Sequence, residues 1–125
     1  MATSALVGLD IEVGLRVVSV LENAGIALKV AVWMATSEYE EGRLVLASPS
    51  LDQSRPLLAY HKVAELLQGE SFHSRPAILI LRMKDPFINS LRQMFGKTKS
   101  IEGMRLGGQM IGNRFILDGY VYRIQ

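Results

Sequence analysis

The chain has no cysteine. That excludes thiol nucleophiles, disulfide frameworks and cysteine-ligated zinc, and it agrees with a reducing compartment. Histidine is scarce as well, with His61 and His73 only. A metal-binding helix would need a second histidine three or four positions from the first, and neither histidine has one. No uncharged apolar run approaches the roughly 20 residues that cross a bilayer. The first residues, MATSALVGLDIEVGLRVV, lack a basic leader, and Asp10 and Glu12 interrupt their apolar run. A secretory signal is not expected, and the reading is a soluble, cytoplasmic protein without a membrane partner.

What is present is a globular composition. Of 125 residues, 49% are hydrophobic and 21% charged, well away from the disordered class. The length suits one domain spanning residues 1–125, with a core that needs no metal or disulfide. Mean hydropathy is +0.19, so more apolar surface is to be covered than in most monomers of this size, and self-association is one way to cover it. Charge is unevenly spread. Residues 1–74 hold five Lys/Arg and nine Asp/Glu, whereas residues 75–125 hold nine and three. The basic half can face an anionic partner or compensate the acidic half internally.

Two apolar strands, Ile26 to Ala35 and Arg43 to Ser48, joined by the acidic loop Thr36 to Gly42, form the expected centre of the fold. Leu28, Val30, Val32 and Met34 alternate with Lys29, Ala31, Trp33 and Ala35, and both sets are mainly apolar, which predicts a strand covered on both faces. A helix from Leu6 to Ala24 precedes it. Its apolar residues form two rows, Ile11–Leu15–Val18–Leu21 and Val13–Val17–Val20–Ala24, which predicts cover on more than one side. Asp10 is its expected N-cap and Gly25 its left-handed stop. After Pro49, Asp52 or Ser54 can cap a second helix with Pro56 in its first turn, its apolar face lined by Leu57, Tyr60, Ala64 and Leu67 with Val63 and Leu66 beside them. Ala77 to Leu81 reads as a buried central strand. Asp85-Pro86 starts a third helix, which Gly96 ends. The strands Met104 to Ile111, Arg114 to Leu117 and Tyr120 to Ile124 follow, with two-residue turns expected at Gly112-Asn113 and Asp118-Gly119. The order α-β-β-α-β-α-β-β-β indicates an α+β fold with a mainly antiparallel sheet and about three helices.

No motif forces a chemistry. Gly96-Lys97-Thr98 lacks the glycine five residues earlier that a phosphate loop needs, and a helix precedes it where a strand should. The glycines of 103–112 have the wrong spacing for a dinucleotide fingerprint. Ser48, Asp52 and His61 lack the constrained turn of a nucleophile. Two sets of residues remain as candidates. Arg82, Lys84, Arg92, Lys97, Lys99 and Arg105, with Arg75, Arg114 and Arg123, form a basic set able to contact phosphates or other anions. Glu38, Glu40 and Glu41 form an acidic interaction loop. No cofactor or metal is implied, and no catalytic residue is assigned. The expectation is a small non-catalytic binding or assembly module with a protein partner or a second copy of itself. Nucleic-acid binding through the basic half is the alternative. A metal-dependent hydrolase or nuclease is the third reading, and it requires several of Glu38, Glu40, Glu41, Asp52 and His61 to converge.

Overall fold

A computed structural model of the chain describes residues 8–52, 55–72 and 76–125. Ser54, His73 and Arg75, named above, lie outside them, as does the expected start of the first helix at Leu6. The elements run α1 (Gly8–Asn23), β1 (Val30–Ala35), β2 (Arg43–Ala47), α2 (Pro56–Leu67), β3 (Ile78–Ile80), α3 (Pro86–Phe95), β4 (Arg105–Leu106), β5 (Gln109–Ile111), β6 (Arg114–Ile116) and β7 (Asp118–Ile124). A five-stranded sheet has the order β3-β2-β1-β7-β4, antiparallel except for the parallel β2–β3 pair, and β5–β6 is a separate hairpin. The class is α+β, as expected.

All six residues of β1 are buried. Period-two alternation divides its side chains between two cores. Ala31 and Trp33 join α1 and α2 on one face, together with Leu44 and Leu46 of β2. Val30, Val32 and Met34 join α3 and the hairpin on the other, with Val45 and Ala47. The strand is shorter than Ile26 to Ala35. Ile26 and Leu28 precede it, and Leu28 belongs to the α1/α2 core rather than sharing a face with Val30, because strand alternation does not extend into the connection.

The β1–β7 register slips between Ala31 and Val32. Ala31 stands opposite Arg123 and Val32 opposite Val121, which leaves Tyr122 as the extra residue of a β-bulge. Val121 and Ile124 therefore both reach the α3 core, although they lie an odd number of positions apart. Tyr122 and Arg123 both serve α1. The Tyr122 hydroxyl donates to the Ile11 carbonyl at 2.8 Å. The Arg123 guanidinium donates to Glu22 Oε1 at 3.0 Å. Gly14 of α1 makes room for the ring, since a Cβ there would stand 2.1 Å from the Tyr122 hydroxyl oxygen.

Several expected details differ. α1 buries Val17, Val18 and Leu21 on one side, with Leu15 57% exposed, so it is covered on one face rather than on more than one. Asp10 lies within the helix rather than before it. Gly25 does end it, at φ +92°, with Ile26 N–H donating to Leu21 O and Gly25 N–H to Glu22 O in a Schellman arrangement. α2 turns Ala59, Val63 and Leu67 inward, leaving Leu57 65% exposed. β3 is an edge strand, not a central one. Its residues are half-buried, and its apolar run reflects cover on both faces. Tyr60 of α2 closes that edge by accepting the Ile80 N–H at 2.9 Å. Met104 to Ile111 is two strands in two sheets, parted at Gly107-Gly108 with Gly108 at φ +62°. Gly112-Asn113 is a hairpin turn. Asp118-Gly119 is not. Both lie in β7, where glycine permits close approach, because a Cβ at 119 would stand 2.9 Å from Trp33 O.

Gly42 combines φ +88° with a Trp33 ring that a Cβ would meet at 2.1 Å. Gly42→Ala is expected to destabilise the fold by more than about 2 kcal/mol in urea unfolding, through backbone strain and displacement of Trp33 together. Tyr122→Phe, which removes one hydrogen bond and keeps the ring, should cost about 1 kcal/mol by the same measurement.

Candidate functional site

β2 and β3 are parallel and joined through α2, so both strands end at the same end of the sheet. The segments leaving them bound a cleft. After β2, Pro49 to Leu51 form a short 3-10 turn, started by Ser48, whose Oγ accepts the Ser50 N–H at 3.2 Å. After β3, Leu81 to Lys84 turn over toward α3. Asp52 joins the two segments, its Oδ1 accepting the Met83 N–H at 3.0 Å. This is a different task from capping α2, where Arg55 holds the N-cap position. Asp85 caps α3 as expected, with Oδ1 accepting the Phe87 N–H at 2.9 Å.

The resulting cleft has a volume of about 380 Å³. Leu51, Ala59, Ile80 and Leu81 supply its apolar surface, and Arg82 and Lys84 supply positive charge. The starts of both α2 and α3, at Pro56 and Pro86, border it. In open α/β sheets ligands gather at the carboxyl ends of parallel strands, where loops and helix starts converge; the single parallel pair β2–β3 presents that arrangement locally. Sequence reasoning found Arg82 and Lys84 but not the cleft. Leu51 carried no signal, and Tyr60 was expected only as core.

The acidic loop lies at the other end of the sheet, because β1 runs toward it and both β2 and β3 run away from it. Glu38, Glu40 and Glu41 are exposed. The loop is fixed by Thr36 Oγ1, which accepts the Tyr39 N–H at 3.2 Å, and by the Arg43 guanidinium, stacked 4.5 Å from the centroid of the Tyr39 ring. Arg43 also donates to the Gly42 carbonyl at 3.0 Å. A cation thus sits beside the three glutamates, which the charge count alone did not suggest.

The basic candidates divide among several places. Arg82 and Lys84 line the cleft. Arg92 and Lys97 flank the end of β7, where Arg92 Nε donates to the Gln125 carbonyl at 2.6 Å. Lys99 is exposed in the loop after α3. Arg105 is at the acidic end, bound through its NH2 to both oxygens of Asp118 at 3.1 and 3.0 Å. His61 is exposed on α2, and Ser48 is fully buried. Among the described residues no three His, Asp or Glu side chains are placed to hold a metal ion, and no helix is long and apolar enough to cross a membrane. Glu38, Glu40 and Glu41 do line one shallow pocket of about 250 Å³ together with Arg43, away from Asp52 and His61.

Comparison of the chain with protein-family models, with curated proteins and with solved structures finds no match.

Asp52→Ala should loosen the β3–α3 turn over the cleft. The expected loss is about 1 kcal/mol in thermal or urea unfolding, with faster amide exchange at Met83, whose N–H loses its acceptor.

Proposed function

We propose that this chain is a single-domain, non-catalytic binding module whose working surface is the cleft at the carboxyl ends of β2 and β3. The observation that carries this reading is the make-up of that cleft: an apolar surface beside Arg82 and Lys84, bordered by Asp85 at the capped start of α3. Small-molecule sites have this form, concave and mostly apolar with a few placed polar groups. The side chains around it that could do chemistry have structural tasks. Ser48 and Asp85 cap helical turns, and Asp52 fastens a loop.

Self-association belongs to the same reading. On the outer face of the hairpin, Met110 stands directly opposite Phe115, and they are 63% and 49% exposed. Leu117, 47% exposed, follows two positions after Phe115. Sedimentation velocity at tens of micromolar is expected to show a species larger than the monomer, which Met110→Glu returns to monomer. A strict monomer in the unaltered chain refutes this part.

The binding part is tested by a mixture of small neutral, acidic and basic aromatic fragments, followed by amide chemical shifts of the full chain. Perturbations are expected to cluster at Leu51, Ala59, Ile80 and Leu81. Clustering at the acidic loop or on the hairpin, or no clustering, refutes the assignment.

Nucleic-acid binding is the second reading, favoured by the position of Arg82, Lys84, Arg92 and Lys97 at one end of the sheet. It requires affinity for a fluorescent oligonucleotide that falls steeply with salt and weakens in Lys97→Glu/Lys99→Glu. Affinity indifferent to both removes it.

A further inference from the structure

We infer that Tyr60 is the hydrogen-bond donor that orients the ligand of the cleft, and that this ligand is an apolar molecule with a carbonyl-type acceptor. This rests on the reading of the cleft as the binding site and goes on to the group that fixes what it holds.

Tyr60 reaches from α2 to β3. Its hydroxyl accepts the Ile80 N–H at 2.9 Å, and both residues line the cleft. The oxygen therefore stands where the wall from the helix meets the wall from the strand. A phenolic hydroxyl has one proton to give and can also accept. The Ile80 amide only donates, so it leaves the hydroxyl proton unused, and no other partner of that hydroxyl is found among the described residues. The group is also held still. Ile80 is paired in register with Leu46, and the Leu81 N–H donates to the Leu46 carbonyl at 3.0 Å. A hydroxyl that accepts one hydrogen bond is polarised into a better donor of the next.

The surroundings give this donor its selectivity. Leu51 and Ala59, 2% and 1% exposed, and Ile80 supply apolar side chains that offer the proton no acceptor. A ligand that displaced water from the hydroxyl without replacing its bond would leave a polar group unpaired in an apolar setting. A carbonyl oxygen restores the bond while the rest of the molecule covers the leucine and isoleucine side chains. A polar group that only donates leaves the hydroxyl proton unanswered. Arg82 and Lys84 border the same cleft, so the contribution of a cation has to be separated from that of Tyr60.

The test titrates acetophenone and ethylbenzene, alike in ring and size but differing in the carbonyl, into the full chain and follows amide shifts. Both should perturb Leu51, Ala59, Ile80 and Leu81, with acetophenone about tenfold tighter. Tyr60→Phe should bring the two affinities to within about twofold of each other, whereas a purely structural hydroxyl would weaken both ligands together and keep their ratio. Lys84→Gln, at an exposed position, should leave the ratio unchanged. In the unaltered chain acetophenone should also move the Ile80 amide proton further downfield than ethylbenzene does, because a hydroxyl that donates onward accepts more strongly. That readout keeps the test decisive if Tyr60→Phe folds poorly. Equal affinities in the unaltered chain, a ratio that survives Tyr60→Phe, a ratio lost in Lys84→Gln, or an Ile80 shift no larger with acetophenone overturns Tyr60 as the orienting donor and leaves the cleft as the site. Failure of both compounds to perturb the cleft overturns the site itself, and the donor with it.

Discussion

The structure depends on the burial of β1 from both sides. A strand with one wet face needs only one layer of cover. β1 has none of its six residues exposed, so two separate cores must be completed around it, and each needs its own helices. α1 and α2 complete one, and α3 with the β5–β6 hairpin completes the other. Burying an apolar side chain stabilises by about 1.5–3 kcal/mol, and losing one layer would expose half of the strand together with the matching half of β2. The two layers are therefore interdependent, although they touch different side chains.

The bulge in β7 follows from this arrangement. With strict alternation, Tyr122 and Arg123 would face opposite cores, and the arginine would enter the one lined by Phe87, Ile88 and Leu91. One extra residue keeps both on the α1 side, where a carbonyl and a carboxylate receive them, and returns Ile124 to the apolar side. Gly14 is the counterpart on the helix. A residue that lowers helix propensity is tolerated there because the ring of Tyr122 occupies the space of a side chain.

Local features of the fold were legible in the sequence, and non-local ones were not. Gly25, Gly112-Asn113 and Asp85-Pro86 act within a few residues of themselves, and each performs the expected task. The same holds for the alternation within Val30 to Met34. Asp118-Gly119 misled because glycine serves two purposes. Turn chemistry is local, but room for a crossing strand depends on Trp33, more than eighty positions away. β3 misled for a similar reason, since an apolar run records cover on two faces but not the number of neighbouring strands. In α2 the inward face was misplaced by less than a turn, because Leu57 and Leu58 made the exposed side look apolar. Of the site, the two cations were legible as residue types. Their meeting with Leu51, Ala59 and the starts of two helices was not, because it is set by the parallel return of β3 beside β2. The charge asymmetry of the halves translated only loosely into space: Arg105 lies at the acidic end, and Asp52 and Asp85 at the basic one.

The edges of the main sheet bear on how copies of the molecule can meet. One edge is β3, three residues long, with the hydroxyl of Tyr60 on its Ile80 amide; the other is β4, two residues long. Neither offers the long row of open amides and carbonyls that lets a sheet grow from one molecule into the next. A backbone so guarded resists fibrillar stacking, and any assembly of this chain through its main sheet must be written in side chains, where single substitutions can adjust or abolish it.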